Sequence, residues 1–350
     1  MELGIMSFAD MQPETEKGKG SNGRQRIQDL LEEIRLADQL GLDVFGIGEH
    51  HREDYAVSSP AVVLAAAAAI TKNIRLSSAV TVLSSDDPVR VYQQFATVDL
   101  LSGGRAEIMA GRGSFIESYP LFGYDLEDYD ELFSEKLTLL LQLNKNEPVS
   151  WQGRHRPAIR GLQVYPHPFG ASMPVWIAAG GTPASAVRAA NLGLPLMLAI
   201  IGGQPQQFRG FIDLYKQTAL RAGRQLSELQ FGVNNHVFIG KDSQKAADDF
   251  FPYYAAQMNR VGRDRGWPPL SRQQYEFARS PQGALMVGSP QQVIDKILHQ
   301  YELFGNTRFL AQDSVGPVPH HLTMESIRLF GEIVVPAVRK AVRTEEKGNR

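Results

Sequence analysis

Cysteine is absent from the 350 residues. That excludes disulfides, thiolate metal ligands and a cysteine nucleophile. A charge of one sign is missing too. Lysine and arginine number 36 against 38 acidic residues, a net of −2, which gives no broad electrostatic footprint for nucleic acid. No apolar run reaches the roughly 18 residues of a membrane-spanning helix. The opening stretch, MELGIMSFAD, lacks the charged and long apolar regions of a signal peptide, so the cytoplasm is the expected compartment and no membrane contact is expected. Low-complexity segments are missing as well. Only the 13–23 loop, PETEKGKGSNG, and the 344–350 tail, TEEKGNR, are expected to be mobile.

What is present is core material. Hydrophobic residues make up 43% of the chain, enough for a large core, and single α/β barrels reach this length. Eight short apolar runs recur: LGIMSF at 3, DVFGIG at 43, IRLSSAVTVL at 74, RAEIMAG at 105, PVWIAAG at 174, LPLMLAI at 194, FGVNNHVFI at 231 and TRFLAQ at 307. Several are continuously apolar, as in parallel strands buried on both faces. Helical patterns separate them. Ile27, Leu30, Leu31, Ile34, Ala37 and Leu40 fall at three- and four-residue spacing before Gly41. Ser59-Pro60, Asp87-Pro88, Thr182-Pro183 and Ser289-Pro290 read as helix starts, a cap followed by a first-turn proline. Strand, loop and capped helix, eight times over, predict a single (β/α)₈ TIM barrel domain over residues 1–350. A doubly wound open sheet is the alternative. Two stretches break the rhythm, residues 113–172 and 241–288. They read as insertions after the fourth and seventh strands, on the carboxyl face where barrel enzymes place their chemistry.

The candidate site residues lie at strand ends. FGIGEHHRED at 45–54 puts Glu49, His50 and His51 just after the second strand. A metal site needs three or four ligands, and no accompanying ligand motif or carboxylate–histidine pair is visible, so no metal is expected. A polar strand end competes with proton transfer, for which histidine suits neutral pH. Gly180, Gly181 and Thr182 end the fifth strand and open a helix, a pattern shared by an anion site and a plain turn. Arg112, between Gly111 and Gly113 after the fourth strand, can pair with an anion there or form a structural ion pair. Small residues at 77–80 either seat a flat ring or pack a tapering core. The aromatic stretches FFPYY and WPP of the second insertion are core or the lining of an apolar pocket.

These residues resemble those of the bacterial luciferase-like flavin-dependent monooxygenases. GEHH, SSAVTVLSSDDPVR, LLSGGRAEIMAGRG, GGTPASAVRAANLGLPL and the late GSPQQV and FLAQDSVGPVPHH match in order along nearly the whole chain. The resemblance implies reduced FMN as cofactor, and an oxidoreductase that acts on paired donors, oxidising a small organic substrate with O₂. It implies that His50 handles protons and that Arg112 and Gly113, with Gly180, Gly181 and Thr182, hold the flavin phosphate. It also implies a non-proline cis peptide at Ala79–Val80 beneath the flavin ring. The position of the luciferase cysteine is Gly111 here, so a general oxidoreductase is expected rather than light emission. A separate flavin reductase and a homodimer are the implied partners. The rival readings are a deazaflavin (F420)-dependent oxidoreductase and a non-enzymatic flavin-binding protein.

Overall fold

The computed structural model describes residues 1–12, 22–113 and 115–348; most of the 13–23 loop therefore lies outside the described residues. The strands are β1 (Glu2–Ser7), β2 (Val44–Ile47), β3 (Arg75–Ser78), β4 (Thr81–Val82), β5 (Ala106–Gly111), β6 (Val149–Trp151), β7 (Ile159–Leu162), β8 (Val175–Ala179), β9 (Leu196–Ala199), β10 (Phe231–Ile239), β11 (Met286–Gly288) and β12 (Arg308–Ser314). The run β1-β2-β3-β5-β8-β9-β10-β12 is parallel throughout and closes on β1. This is the expected (β/α)₈ barrel, and every one of the eight apolar runs supplies a barrel strand. The third run is split into β3 and β4 by a cis Ala79–Val80 peptide, the bond the resemblance implied.

The two irregular stretches carry elements beyond one strand and one helix. The first holds the helix Tyr129–Leu143 and the antiparallel β6–β7 hairpin. The second holds the helices Ser243–Asp264 and Arg272–Arg279 and the short β11, which adds to β10. The 344–350 tail was expected to be mobile; the last helix, Val335–Gly348, runs through most of it.

Helix starts follow the sequence grammar in part. Asp87 accepts from the amides of Val89 and Arg90, and Ser289 forms a capping box with Gln292. Ser59 and Thr182 occupy the same position, but their side chains bond no helix amide. At those two starts the proline sets the turn without help from the hydroxyl.

The barrel interior is layered. Near the amino ends of the strands, Arg308 and Glu107 are fully buried and joined by two bonds of 2.6 and 2.9 Å. Glu2 bonds Arg308 Nε at 2.7 Å, and Ser77 donates to Glu107. Above them Met6, Val44, Met109, Trp176, Met197 and Leu310 form an apolar plug, with the Arg308 guanidinium carbon 3.9 Å from the centre of the Trp176 ring. The plug separates the buried charges from a cavity at the carboxyl ends.

Candidate active site

The cavity is about 450 Å³ in volume and collects the sequence candidates from far apart in the chain. His50, Ala79, Val80, Arg112, Gly113, Gly180 and Thr182 all line it. Gly181 does not. It sets the turn behind the wall with a φ of +106°, a conformation that side-chain-bearing residues rarely adopt. The carboxyl ends of neighbouring parallel strands bring these positions together, which is the general reason barrel enzymes build sites there.

One wall carries small apolar residues. Ala79, Val80, Gly111 and Ala178 form part of it. Gly111 has no room for a side chain, because a Cβ there would lie 2.7 Å from Val80. Gly180 faces open space, with no atom within 4 Å of where its Cβ would sit. Beside this wall Arg112 bonds Ser185 Oγ at 3.3 Å, in the first turn of the helix Pro183–Leu192 that follows Thr182. Its other nitrogen pairs with the exposed Asp130 at 2.5 Å. The guanidinium and the helix start thus meet, as strand adjacency suggested. A planar ring with an anionic tail fits these residues: ring on the small-residue wall, tail at the guanidinium and the positive end of the helix.

His50 is buried, 7% exposed, within a ring of aromatics. Its ring centre is 4.3 Å from that of Tyr55, 4.6 Å from Phe8 and 4.8 Å from Phe115. Its Nδ1 faces Glu117 Oε1 at 3.8 Å, an ion-pair distance. Burial resists ionisation of Glu117, but His50 and the backbone amides of Glu117 and His51 outweigh it and hold the carboxyl below its ordinary pKa. Both neighbours of His50 are tied to one another, and Glu49 also lines the cavity. Glu49 accepts from His51 Nε2 at 2.9 Å through one oxygen and from the Val82 amide at 2.9 Å through the other. The bond to Glu49 raises the His51 pKa despite its partial burial. The second strand end is therefore clamped to the segment that follows the cis peptide. Sequence reading found no carboxylate–histidine pair here; there are two, because Glu117 arrives from the first insertion and Glu49 turns back on its own neighbour.

Reading from sequence also missed Asp10, Gln257 and His236, which line the cavity. Burial pushes the Asp10 carboxyl up to about 7, against the pull of the Gly316 amide and Arg26. Burial lowers His236 to about 4, so it is neutral at physiological pH. Asp10 was within reach of the rule that singled out His50, since it follows the first strand. Gln257 carries no such signal. It lies on one helix face with the lining residues Met258 and Val261. Farther off, Asp128, Glu131 and His155 bring ligand atoms within 4.8 Å of one another. Arg154 pairs with Glu131 there at 2.7 Å, so the cluster reads as a network of ion pairs at the surface.

The closed parallel barrel and its carboxyl-face cavity define a class, and comparison with known proteins agrees. The luciferase-like monooxygenase family model matches residues 1–308, and the chain belongs to that family. The 4-hydroxyprotoasukamycin monooxygenase of Streptomyces nodosus subsp. asukaensis is 26% identical over 87% of this chain and 85% of its own. A monooxygenase structure from Streptomyces bottropensis superposes with a TM-score of 0.83 at 23% identity, covering 96% of this chain and 99% of that one. The FMN-bound oxygenating constituent of 3,6-diketocamphane monooxygenase from Pseudomonas putida gives 0.77 at 20%, covering 97% and 98%. The F420-dependent tetrahydromethanopterin reductase of Methanopyrus kandleri gives 0.73 at 19%, covering 96% and 98%. At these identities the solved structures speak for the fold. Among the described residues, no helix is long and apolar enough to cross a membrane.

Proposed function

We propose that this chain is an FMN-dependent monooxygenase that uses reduced flavin and O₂ to oxidise a small organic substrate. The observation that carries the reading is one cavity joining His50, a small-residue wall and an arginine at a helix start. When bound, reduced flavin supplies the electrons with which O₂ oxygenates the substrate. Ala79, Val80, Gly111 and Ala178 would hold the ring. Arg112, Gly113, Gly180 and Thr182 would hold the phosphate, with Gly181 shaping the turn. The aromatic shell around His50 excludes water from the reacting face. Glu117 orients His50 through Nδ1, which leaves Nε2 to move a proton at the cavity.

A phosphate at Arg112 would receive charge-assisted bonds worth roughly 1.5–3 kcal/mol each. Arg112→Ala is therefore expected to weaken FMN binding about ten- to a hundredfold and to leave riboflavin, which lacks the phosphate, nearly unchanged. Anaerobic titrations of both ligands on wild type and variant test this. Equal weakening of the two would assign Arg112 to the ring or the fold; no weakening would move the phosphate elsewhere. A deazaflavin-dependent oxidoreductase shares this barrel, and the absorbance of cofactor retained on purification separates the two readings.

Reduced flavin is expected from a partner reductase, and the chain is expected to be a homodimer in the cytoplasm. Support for the dimer is the small-residue helix Pro60–Ile70, where Val62 is 65% exposed. A monomeric mass by light scattering at micromolar concentration would remove that expectation.

A further inference from the structure

We propose that Asn234 and Gln312 form a substrate-recognition strip on the wall facing the small-residue wall, selecting a substrate that presents an uncharged amide. The inference rests on the oxygenase reading of this cavity and adds the class of substrate.

Strand pairing sets the strip. Along β10, Asn234 and His236 line the cavity. Asn235 between them turns away and bonds the carbonyls of Ile200 and Ala284 at 2.9 and 3.0 Å, the alternation of any strand. On the neighbouring β12, Gln312 is the register partner of His236 and lines the cavity as well.

Both carboxamides are shielded from the outside, the residues being 5% and 6% exposed. Among the described residues neither amide has a hydrogen-bond partner, and neither belongs to the unpaired polar atoms that the protein encloses completely. The amides therefore open onto the cavity, where a ligand can reach them. A buried amide that the fold leaves unbonded is costly. Two of them, on adjacent strands with largely apolar sequences, call for a partner.

The barrel order decides what that partner faces. In the eight-strand circuit β3 stands opposite β10, and β5 opposite β12. Ala79 and Val80 follow β3, and Gly111 ends β5. A flavin ring on that wall would turn its free face toward Asn234 and Gln312, and a substrate held by them would lie across from the ring.

A carboxamide offers N–H donors and a carbonyl acceptor and carries no charge. His236 is neutral too, because burial lowers it to about 4. The two carboxylates lining the cavity are not on offer: Glu49 is bonded through both oxygens, Asp10 Oδ1 holds the Gly316 amide, and Asp10 Oδ2 is enclosed. Arg265 also lines the cavity, but from the exposed end of the helix Ser243–Asp264, with its guanidinium carbon 5.6 and 5.2 Å from the ring centres of Phe115 and Trp267. The strip itself is uncharged and both donates and accepts. Its complement is a carbonyl and an N–H side by side, as in a carboxamide or lactam.

The test uses three probes of one shape: benzamide, acetophenone, which accepts only, and benzoate, which is ionised at neutral pH. Each is titrated into wild type, Asn234→Leu and Gln312→Met, with and without oxidised FMN and without reductant, so that nothing turns over. Wild type should bind benzamide at least about tenfold more tightly than either other probe. Each variant should lose most of that advantage while its melting curve and FMN affinity stay near wild type. Equal binding of the three by wild type, or no saturable binding of benzamide, would overturn the proposal. Tightest binding of benzoate would overturn it in favour of Arg265. An unchanged ranking in a folded variant would remove that residue from the strip. If wild type ranks the probes as expected yet fails to bind FMN, the strip stands and the flavin reading falls. If FMN binds and the ranking fails, the reverse holds.

Discussion

At the amino end of the barrel interior, Arg308 and Glu107 are fully buried and all three guanidinium nitrogens are bonded. At the carboxyl end, Asp10 and Gln257 are almost as deeply buried, and each leaves an oxygen unpaired. The apolar plug around Trp176 keeps the two apart. Burial costs a polar group its solvation at either end, and a charged one the most. The difference lies in whether the fold returns the lost bonds. Where it does, the group holds the barrel shut; where it does not, the burial is uncompensated, and at Asp10 it shows as a raised pKa. This matches the division of labour in barrels, with stability at the amino face and chemistry at the carboxyl face.

Breaking the closed end should cost most. Glu107→Gln leaves the Arg308 charge with only Glu2 beside it. Removing one partner of a buried pair destabilises by about 3–5 kcal/mol, to be read from the denaturation midpoint, with little effect on cofactor affinity in the folded fraction. A loss below about 1 kcal/mol would mean water reaches the pair.

The open end should respond to pH instead. The folded-state pKa of Asp10, about 7, lies above its ordinary 3.8, so the native state holds this proton more tightly than the unfolded state. That contribution is fully present below about 3.8 and is lost as pH rises to about 7. Asp10→Asn stays neutral throughout. Relative to wild type it should gain roughly 4 kcal/mol between those limits and then level off. Melting curves of both proteins across that range check the sign. A difference that does not change with pH would mean the carboxyl is solvated.

The smallest change in free energy is expected at His50, whose contacts are mostly ring to ring. His50→Ala should bind FMN almost as well as wild type, because His50 is not among the groups bonded to Arg112. With an authentic substrate, turnover should fall at least about tenfold, since general acid–base groups contribute roughly 10²–10⁴. Unchanged turnover would make His50 a packing residue.

The continuously apolar runs pointed to parallel strands buried on both faces; that they close into a barrel rather than an open sheet was decided by the pairing of β12 with β1. Position relative to those strands likewise marked His50, Arg112 and the 180–182 turn, since carboxyl ends of parallel strands converge. Three further things depended on the tertiary structure. Glu117 and Gln257 come from the insertions, whose paths no periodicity encodes. The Glu107–Arg308 pair joins residues 201 positions apart, and neither charge stands out within its apolar run. Whether a buried oxygen has a partner is a property of all its neighbours at once. Asp10 was therefore legible as a residue at a strand end, while its unpaired Oδ2 became visible only when β1, the 316 turn and the helix Ser243–Asp264 were packed together.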